Sequence, residues 1–536
     1  MAHVGWQPGG GGEQTPGMAR ILVTEKIADS GLDRLRSAGH DVDLQLDLAP
    51  EALLEAVPGA HALIIRSATT VTADVLAAGR DLVVVGRAGI GLDNVDTEAA
   101  TSQGVMVVNA PQSNILTTAE HTMAMLLAQA RNIPQAHAAL VDGRWERSKW
   151  EGVELADKTL GIVGLGRIGK LVAQRALAFG MKVVAHDPFV APDRARQINV
   201  ELLTLDELVA VADFLTLHVV KTPETLGMIG KDLLAKAKPN LRIVNVSRGG
   251  VIDEEALAEA IRDGRVGGAA IDVFAREPTT SSPLFELPQV VVTPHLGAST
   301  AEAQDKAGET IAEQVGLALA GEFVPFAVNV AATEASSTVR PFLPLAERLG
   351  QLYASLASGV PDVLEIAYEG QLADADTRIL TLSVLKGVFG RVSEEPVSYV
   401  NAPRLAAERG VEVRESSSPV SHDYVNLLTI RGGDHAIGGT LVGLRGDPRI
   451  VMVDDHSVDV PPADHMVVVR NDDVPGMIAA VTRELGDAGL NIDDMHLGRS
   501  AEGAAALMIL ATDADVPDEV QGRISALAGV VSVNAL

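Results

Sequence analysis

A glycine-rich turn between a strand and a helix constrains this chain more than any other feature of its sequence. The turn reads G-L-G-R-I-G, with Gly164, Gly166 and Gly169 in the spacing G-x-G-x-x-G, and it follows the apolar run T-L-G-I-V. In a β-α-β unit the first glycine permits the tight turn, the second lets the backbone approach a pyrophosphate, and the third lets the helix pack on the strand. Phosphates then lie at the positive end of the helix. The spacing predicts a doubly wound domain that binds a dinucleotide.

The residue after the next apolar strand indicates which dinucleotide is bound. Asp187 stands 18 residues after Gly169 and directly after K-V-V-A-H. A carboxylate at this place accepts hydrogen bonds from the ribose 2′-OH and repels a 2′-phosphate, so it favours NAD over NADP. The sequence G-I-G at Gly89 also follows a strand, but it continues L-D-N without a third glycine. Only the turn at Gly164 therefore carries the prediction of an NAD site.

The apolar runs are organised in two series of short strands that alternate with amphipathic segments. The first series begins at Ile21 and the second at Thr159, which is the pattern of α/β units and parallel sheets. A stretch of small and polar residues at 331–337 predicts a linker, and a region of mixed pattern follows it. From Met466 the order strand, helix, strand, strand, helix, strand predicts a ferredoxin-like domain.

Composition excludes several classes of protein. The 536 residues carry a net charge of −28, which disfavours binding to nucleic acid or to anionic membrane surfaces. The absence of cysteine rules out disulfides, thiolate catalysis and cysteine-ligated zinc, and no metal site is expected. No apolar run reaches the roughly 18 residues that span a bilayer. We expect a cytoplasmic protein with a disordered tail over residues 1–18.

Three groups with complementary chemistry follow three later strands of the second series. They are Arg248 in N-V-S-R-G-G, Glu277 in D-V-F-A-R-E-P and His295 in T-P-H-L-G-A. Ligands of open α/β sheets bind beyond the carboxyl ends of the strands, so these side chains are expected to converge. An isolated arginine or histidine more often has a structural role, but three such groups on one dinucleotide fold favour a site.

The three side chains suit hydride transfer from a 2-hydroxy acid. Arg248 can hold the substrate carboxylate through two parallel hydrogen bonds. His295 can take the hydroxyl proton as a general base while the hydride leaves for the nicotinamide. Glu277 can hold the imidazole in the required tautomer. The predicted catalytic residues are therefore Arg248, Glu277 and His295.

Several motifs resemble the D-2-hydroxyacid dehydrogenase family, and within it the long actinobacterial D-3-phosphoglycerate dehydrogenases. They are R-S-A-T-T-V at Arg66, G-R-A-G-I-G-L-D-N-V-D at Gly86, N-A-P at Asn109, G-L-G-R-I-G at Gly164, S-R-G-G at Ser247 and P-H-L-G-A-S-T at Pro294. The resemblance covers nearly everything from Ala19 onward. It implies oxidation of 3-phospho-D-glycerate to 3-phosphohydroxypyruvate with NAD, which is the first step of L-serine biosynthesis.

The resemblance also implies the fold and the domain limits. It implies a Rossmann-like nucleotide domain inserted in a flavodoxin-like substrate domain, then an α+β intervening domain and a ferredoxin-like ACT domain. The expected limits are 19–118 with 303–330 for the substrate domain, 119–302 for the NAD domain, 339–457 for the intervening domain and 464–536 for the ACT domain.

The resemblance also implies roles for the residues of this chain that match the family's motifs. The cofactor contacts implied are Gly164, Gly166, Arg167, Ile168, Gly169, Asp187, Val246, Ser247, Arg248, Asp272, His295, Gly297 and Ala298. The substrate contacts implied are Arg66, Ser67, Gly89, Asn114, Arg248 and His295. Arg147 and Lys149 form a basic group near Trp145 that either reaches a phosphate from a neighbouring subunit or is a solvated loop.

The ACT resemblance implies feedback by L-serine in a homotetramer. The effector positions are Asn471, Asp473 and Asn491, although relatives often carry histidine or an aromatic residue where Asn471 stands. Two alternatives stay open from the sequence. One is a dehydrogenase of another 2-hydroxy acid such as 2-hydroxyglutarate, and the other is a non-catalytic NAD-sensing protein.

Overall fold

The computed structural model describes residues 18–330, 335–357, 359–393, 397–443, 445–454, 456–499 and 505–535. These residues form two compact units. The first unit combines the described residues up to Ala110 with those from Glu309 onward, and the second unit is Pro111–Gly308. The tail expected over residues 1–18 lies outside the described residues apart from Met18, as do residues 331–334 of the expected linker. The domain limits derived from the sequence stay predictions.

The chain begins with a parallel sheet of five strands in the order β2-β1-β3-β4-β5. Its elements are β1 (Arg20–Val23), α1 (Asp29–Ser37), β2 (Asp41–Leu44), α2 (Pro50–Ala56), β3 (Ala62–Ile65), α3 (Ala73–Ala78), β4 (Val84–Arg87), α4 (Thr97–Ser102) and β5 (Met106–Asn109). This strand order is the flavodoxin-like one, as the sequence resemblance implied. Strand β3 is buried at all four positions, which is why it reads as an unbroken apolar run.

The second unit contains a parallel sheet of seven strands in the order β12-β11-β10-β9-β6-β7-β8. Its elements are α5 (Ile115–Ala130), α6 (Ile133–Val141), β6 (Thr159–Val163), α7 (Arg167–Ala178), β7 (Lys182–His186), α8 (Pro192–Arg196), β8 (Glu201–Leu202), α9 (Leu205–Val211), β9 (Phe214–Leu217), α10 (Lys231–Leu234), β10 (Arg242–Asn245), α11 (Glu254–Arg262), β11 (Gly268–Ile271) and β12 (Val290–Val292). The strand order reverses between β6 and β9, where a doubly wound sheet opens a crevice for a ligand.

Local sequence signals explain where the helices of this sheet begin. The hydroxyl of Thr204 accepts the N–H of Glu207, and the Glu207 carboxylate accepts the N–H of Thr204, so this capping box starts α9. Asp253 caps α11 by accepting the N–H of Ala256. The inner face of α11 then packs Leu257 and other buried apolar side chains against the sheet.

Helix α12 (Ala301–Leu319) leads out of the second unit, and two further sheets follow. The six-stranded sheet has the order β14-β13-β15-β16-β17-β18 and the four-stranded one has the order β20-β21-β19-β22. Their elements are α13 (Leu343–Leu356), β13 (Val363–Gly370), α14 (Arg378–Val392), α15 (Ala402–Glu408), β14 (Glu412–Ser418), β15 (Asn426–Gly432), β16 (His435–Val442), β17 (Asp447–Val453), β18 (His456–Val460), β19 (Met466–Asp472), α16 (Met477–Asp487), β20 (Ile492–Arg499), β21 (Ala505–Thr512), α17 (Asp518–Ser525) and β22 (Val530–Ala535). The last sheet and its two helices have the ferredoxin-like order predicted from the sequence.

None of the described helices is both long enough and apolar enough to span a membrane. Within the same residues, no group of three or more histidine, aspartate or glutamate side chains is arranged to hold a metal ion.

Candidate active site

The glycine turn at the carboxyl end of β6 has the geometry that a pyrophosphate requires. Gly164 has φ +93°, and a Cβ atom there would lie 2.4 Å from the carbonyl oxygen of His218. A Cβ atom on Gly169 would lie 2.2 Å from the carbonyl oxygen of Gly164, so α7 packs closely on the turn. A Cβ atom on Gly166, by contrast, would meet nothing within 4 Å. The middle glycine, at the N-terminus of α7, therefore faces open space where a phosphate group fits.

Asp187 lies at the end of β7 and touches the glycine turn. Its Oδ2 atom accepts the N–H of Leu165 at 2.8 Å, and its Oδ1 atom accepts the N–H of Phe189 at 2.9 Å. Each carboxylate oxygen has a second lone pair, so both remain able to accept a hydrogen bond from a ribose hydroxyl. The structure thus brings the acidic residue and the turn together as the fingerprint requires.

The loop after β10 that carries Arg248 is held by Asn245. This buried side chain accepts the Ser247 N–H at 3.0 Å and the Ser247 hydroxyl at 2.8 Å, and its amide donates to the Arg248 carbonyl at 3.0 Å. A Cβ atom on Gly249 would lie 1.7 Å from the carbonyl oxygen of Phe274. Only glycine therefore lets this loop lie against the loop that follows β11 and carries Glu277.

Glu277 and His295 form the shortest polar contact between these strand ends. The Nδ1 atom of His295 lies 2.5 Å from Oε2 of Glu277, while Oε1 accepts the N–H of Phe274 at 2.7 Å. Burial raises the pKa of Glu277, but the hydrogen bonds from His295 and from the Phe274 N–H outweigh it, and the pKa is lowered. The ionised carboxylate only accepts hydrogen bonds, so Nδ1 carries the proton. The lone pair of the neutral imidazole then lies on Nε2.

Asp272, fully buried at the end of β11, organises the loop that holds His295. Its carboxylate accepts the N–H groups of Leu296 at 2.7 Å and Gly297 at 2.9 Å and the hydroxyl of Thr293 at 2.6 Å. The His295 backbone has φ +54° and donates its N–H to the Asp272 carbonyl at 2.8 Å. This conformation is strained for a residue with a side chain, so the aspartate network is what supports it.

His121 on α5 completes this network. Its Nε2 atom lies 3.3 Å from Oδ1 of Asp272 and 3.4 Å from the Thr293 hydroxyl. Burial raises the pKa of Asp272, but the hydrogen bonds from His121, Thr293 and the Leu296 N–H outweigh burial. The pKa of Asp272 is therefore lowered. The sequence does not indicate that His121 lies here, because its partners lie more than 150 residues away. The role of Asn245 was also missed, although it stands two residues before Ser247 of the S-R-G-G motif.

The predicted substrate residues lie in both units. Asn114 immediately precedes α5 in the second unit, and its Oδ1 atom is buried without a hydrogen-bond partner among the described atoms. Arg66 and Ser67 follow β3, and Gly89 follows β4, in the first unit. Gly89 has φ +157°, and a Cβ atom there would lie 1.7 Å from the Arg87 guanidinium, so this turn also requires glycine.

The basic group at Arg147 and Lys149 lies on an exposed 3-10 turn of the second unit. Lys149 lies 3.5 Å from Glu146 and stacks over the ring of Trp150 at 5.0 Å. Trp145 beside it is 82% exposed, which is unusual for a tryptophan outside an interface. The turn is therefore accessible, and both interpretations of it derived from the sequence stay open.

The three candidate effector residues do not meet within one chain. Asn471 is at the end of β19 and Asp473 follows it, whereas Asn491 directly precedes β20. In the sheet register Asp472 pairs with Ala505 at one end of β21, and Ile492 pairs with Thr512 at the other end. At about 3.3 Å per residue these ends are roughly 23 Å apart. One small effector cannot touch both ends of the same sheet.

Models of three families match successive parts of the chain. Residues 123–297 match the NAD-binding domain of D-isomer specific 2-hydroxyacid dehydrogenases, residues 338–454 the D-3-phosphoglycerate dehydrogenase intervening domain, and residues 465–529 the ACT domain. The first match contains the glycine turn and all three candidate catalytic residues. These matches confirm the fold class and the NAD-binding domain expected from the sequence.

Whole-length relatives agree with the family models. D-3-phosphoglycerate dehydrogenase of Mycobacterium tuberculosis is 50% identical over 94% of this chain and 97% of its own, and that of Methanocaldococcus jannaschii is 40% identical over 96% and 99%. Among solved structures, the TT0316 protein of Thermus thermophilus is 37% identical over 58% of this chain and 99% of its own, with a TM-score of 0.54. An NAD-dependent formate dehydrogenase of Staphylococcus aureus, solved with NAD, is 29% identical over 56% and 95%, with a TM-score of 0.51. The chain is therefore an NAD-dependent oxidoreductase that belongs to the D-3-phosphoglycerate dehydrogenase family of D-isomer specific 2-hydroxyacid dehydrogenases.

Proposed function

We propose that this chain oxidises 3-phospho-D-glycerate to 3-phosphohydroxypyruvate with NAD, and so opens L-serine biosynthesis. The observation that carries the chemistry is the contact of His295 with Glu277 beside the Arg248 loop, at the carboxyl ends of three neighbouring strands. The observation that favours this substrate is the identity to dehydrogenases of 3-phosphoglycerate over almost the whole chain.

The residues around the glycine turn fit an NAD molecule. The open side of Gly166 and the N-terminus of α7, with Arg167 and Ile168, would take the pyrophosphate, and Asp187 would take the ribose hydroxyls. Val246, Ser247, Asp272, Gly297 and Ala298 lie in the loops after β10, β11 and β12, where the nicotinamide end would be held. When bound, NAD supplies the hydride acceptor for the carbon that bears the substrate hydroxyl.

His295 is the general base of the proposed reaction. Its Nε2 atom takes the proton of the C2 hydroxyl while Glu277 keeps the other ring proton on Nδ1. The imidazolium that forms is stabilised by the adjacent carboxylate. Arg248 binds the substrate carboxylate, which fixes the C2 hydroxyl relative to His295.

The substrate phosphate needs cationic partners in a chain with a net charge of −28. Arg66 in the first unit is the residue proposed here, with Arg147 and Lys149 of a second copy as further contacts. Ser67, Gly89 and Asn114 would contribute hydrogen bonds to the substrate.

A substrate panel tests the proposal. The rate of NADH formation is measured with 3-phospho-D-glycerate, D-glycerate and D-2-hydroxyglutarate at equal concentrations. We expect kcat/KM for the phosphorylated acid to exceed that for D-glycerate by at least about a hundredfold, because a lost charge-assisted contact costs about 1.5–3 kcal/mol and the phosphate makes several. Equal rates with D-glycerate, or a preference for 2-hydroxyglutarate, would assign the enzyme another 2-hydroxy acid.

We also propose that the enzyme is a cytoplasmic homotetramer regulated by L-serine. Five large apolar side chains of α5, α6 and the loop after them are exposed, which supports an interface with a second copy. They are Leu116 at 53%, Ile133 at 54%, Leu140 at 57%, Val141 at 71% and Trp145 at 82%. The separation of Asp473 from Asn491 supports an effector site shared by two copies, one copy contributing each end.

A further inference from the structure

The loop at residues 66–69 presents Arg66 and Ser67 from the carboxyl end of β3, and it has no regular secondary structure of its own. If this loop binds an anion, the Arg66 guanidinium must be held in one place, because a displacement of about 1 Å already spoils the alignment of a bound substrate. The contacts that hold this loop come from elsewhere in the same sheet.

Glu25, two residues after β1, binds the backbone of the loop with its carboxylate. Its Oε1 atom accepts the N–H of Arg66 at 2.8 Å and the N–H of Thr69 at 2.9 Å. The Ala68 N–H lies 3.2 Å from Oε1 and 3.1 Å from Oε2. One carboxylate therefore satisfies three of the four backbone donors of the loop.

Asn94, in the loop after β4, binds the carbonyl groups of the same backbone. Its Nδ2 atom donates to the carbonyl of Arg66 at 2.8 Å and to that of Thr69 at 2.6 Å. The hydroxyls of Thr24 and Thr69 are 2.8 Å apart and tie the loop to the end of β1. The loop is thus clamped from β1 through its N–H groups and from the β4 side through its carbonyls.

The charge of Glu25 is maintained at neutral pH. Burial raises the pKa of Glu25, but the N–H groups of Thr69, Ala68 and Arg66 outweigh burial, and the pKa lies below its usual range. Hydrogen bonds to an ionised acceptor are about twice as strong as those between neutral groups. An amide in place of the carboxylate would present an N–H₂ group to one of the loop donors, so it would not replace the contact.

We propose that Glu25 and Asn94 are positioning residues that fix the 66–69 loop, and with it the Arg66 guanidinium, for binding of the anionic substrate. They act on substrate affinity and not on the chemical step, because neither belongs to the loops that carry Arg248, Glu277 and His295. The inference rests on the proposed function for the identity of the anion, 3-phospho-D-glycerate.

The test measures kcat, KM and hydrogen exchange in Glu25→Gln and Asn94→Asp. We expect KM for 3-phospho-D-glycerate to rise about tenfold in each, equivalent to about 1.4 kcal/mol, while kcat changes less than about twofold. The dissociation constant for NADH should not change. Glu25→Asp, which keeps the charge on a shorter side chain, should lie between the wild type and Glu25→Gln.

Exposed Glu55 on α2 supplies the matched control, since Glu55→Gln removes the same charge from the same domain and should leave every constant unchanged. Hydrogen exchange of the Arg66, Ala68 and Thr69 amides should accelerate in Glu25→Gln, whatever the substrate is. Unchanged exchange, or an equal loss of kcat and NADH affinity, would overturn the inference. Failure of the wild type to oxidise 3-phospho-D-glycerate would instead refute the proposed function, and the exchange measurement would still decide the role of Glu25.

Discussion

The Nδ1 atom of His295 lies 2.5 Å from Oε2 of Glu277, in a loop whose backbone is bound to the buried carboxylate of Asp272. This arrangement fixes both the tautomer and the position of the imidazole. The ring nitrogen that remains, Nε2, is the one that we expect to take the proton of a substrate hydroxyl.

Replacement of His295 should slow the chemical step strongly and leave NADH binding almost unchanged. In His295→Gln we expect kcat to fall by about 10²–10⁴-fold, the range of general-base contributions, with the dissociation constant for NADH within about threefold of the wild type. Steady-state assays and NADH fluorescence titration measure the two effects. Exposed His422→Gln is the control, and activity retained in His295→Gln would remove His295 from the mechanism.

Glu277 should contribute to stability in a defined range of pH. Its pKa is lowered in the folded protein, so its contribution is complete above the unfolded value of about 4.3 and is lost as the pH falls through the folded value. The difference in free energy of unfolding between the wild type and Glu277→Gln should therefore be constant from about pH 6 to 5 and shrink below about pH 4.3. Urea titrations at several pH values measure it, and a difference that grows in acid would contradict the assigned charge.

The glycine turn offers a pair of substitutions with opposite expectations. Gly166→Ala places a Cβ atom in open space, so we expect unchanged stability but a tenfold or greater loss of NADH affinity, because the methyl group occupies the place of the phosphate. Gly169→Ala places a Cβ atom 2.2 Å from the Gly164 carbonyl oxygen and should destabilise the fold by about 1–3 kcal/mol. Thermal unfolding and NADH titration separate the two, and full NADH affinity in Gly166→Ala would contradict the proposed position of the pyrophosphate.

If Asp473 of one copy and Asn491 of another form one effector site, variants of the two residues should restore inhibition by L-serine when they are mixed. We expect L-serine to inhibit the wild type, and Asp473→Ala and Asn491→Ala each to be insensitive. Oligomers formed by mixing the two variants should regain part of the inhibition, because a pair of unlike copies contains one intact site. Insensitive mixed oligomers, with each variant correctly assembled, would show that the two residues do not share a site.

The glycine turn and the strands around it could be predicted because their signals are local. Strand β6 occupies the run predicted for it, and the ferredoxin-like order at the end of the chain was recognised from its apolar periodicity. Strands β2 and β8 have no such signal, because they are short edge strands, polar and only partly buried, without the apolar run that marks a central strand.

The supporting residues of the candidate site could not be found from the sequence. Glu25 and Asn94 contact a loop 41–44 and 25–28 residues away, and His121 contacts Thr293 at a separation of 172 residues. No motif connects such positions, since only the folded sheets bring them together. Glu25 and His121 lie in none of the motifs, and although Asn94 and Asp272 lie inside motifs, the motifs do not indicate which backbone groups their side chains bind.

Transfer of an isotope from the substrate tests the central claim most directly. The enzyme is incubated with NAD and 3-phospho-D-glycerate that carries deuterium at C2, and the NADH formed is analysed by mass spectrometry. The proposed mechanism predicts NADH that contains one deuterium, formed in equal amount to 3-phosphohydroxypyruvate. Unlabelled NADH, or no NADH from this substrate, would contradict it.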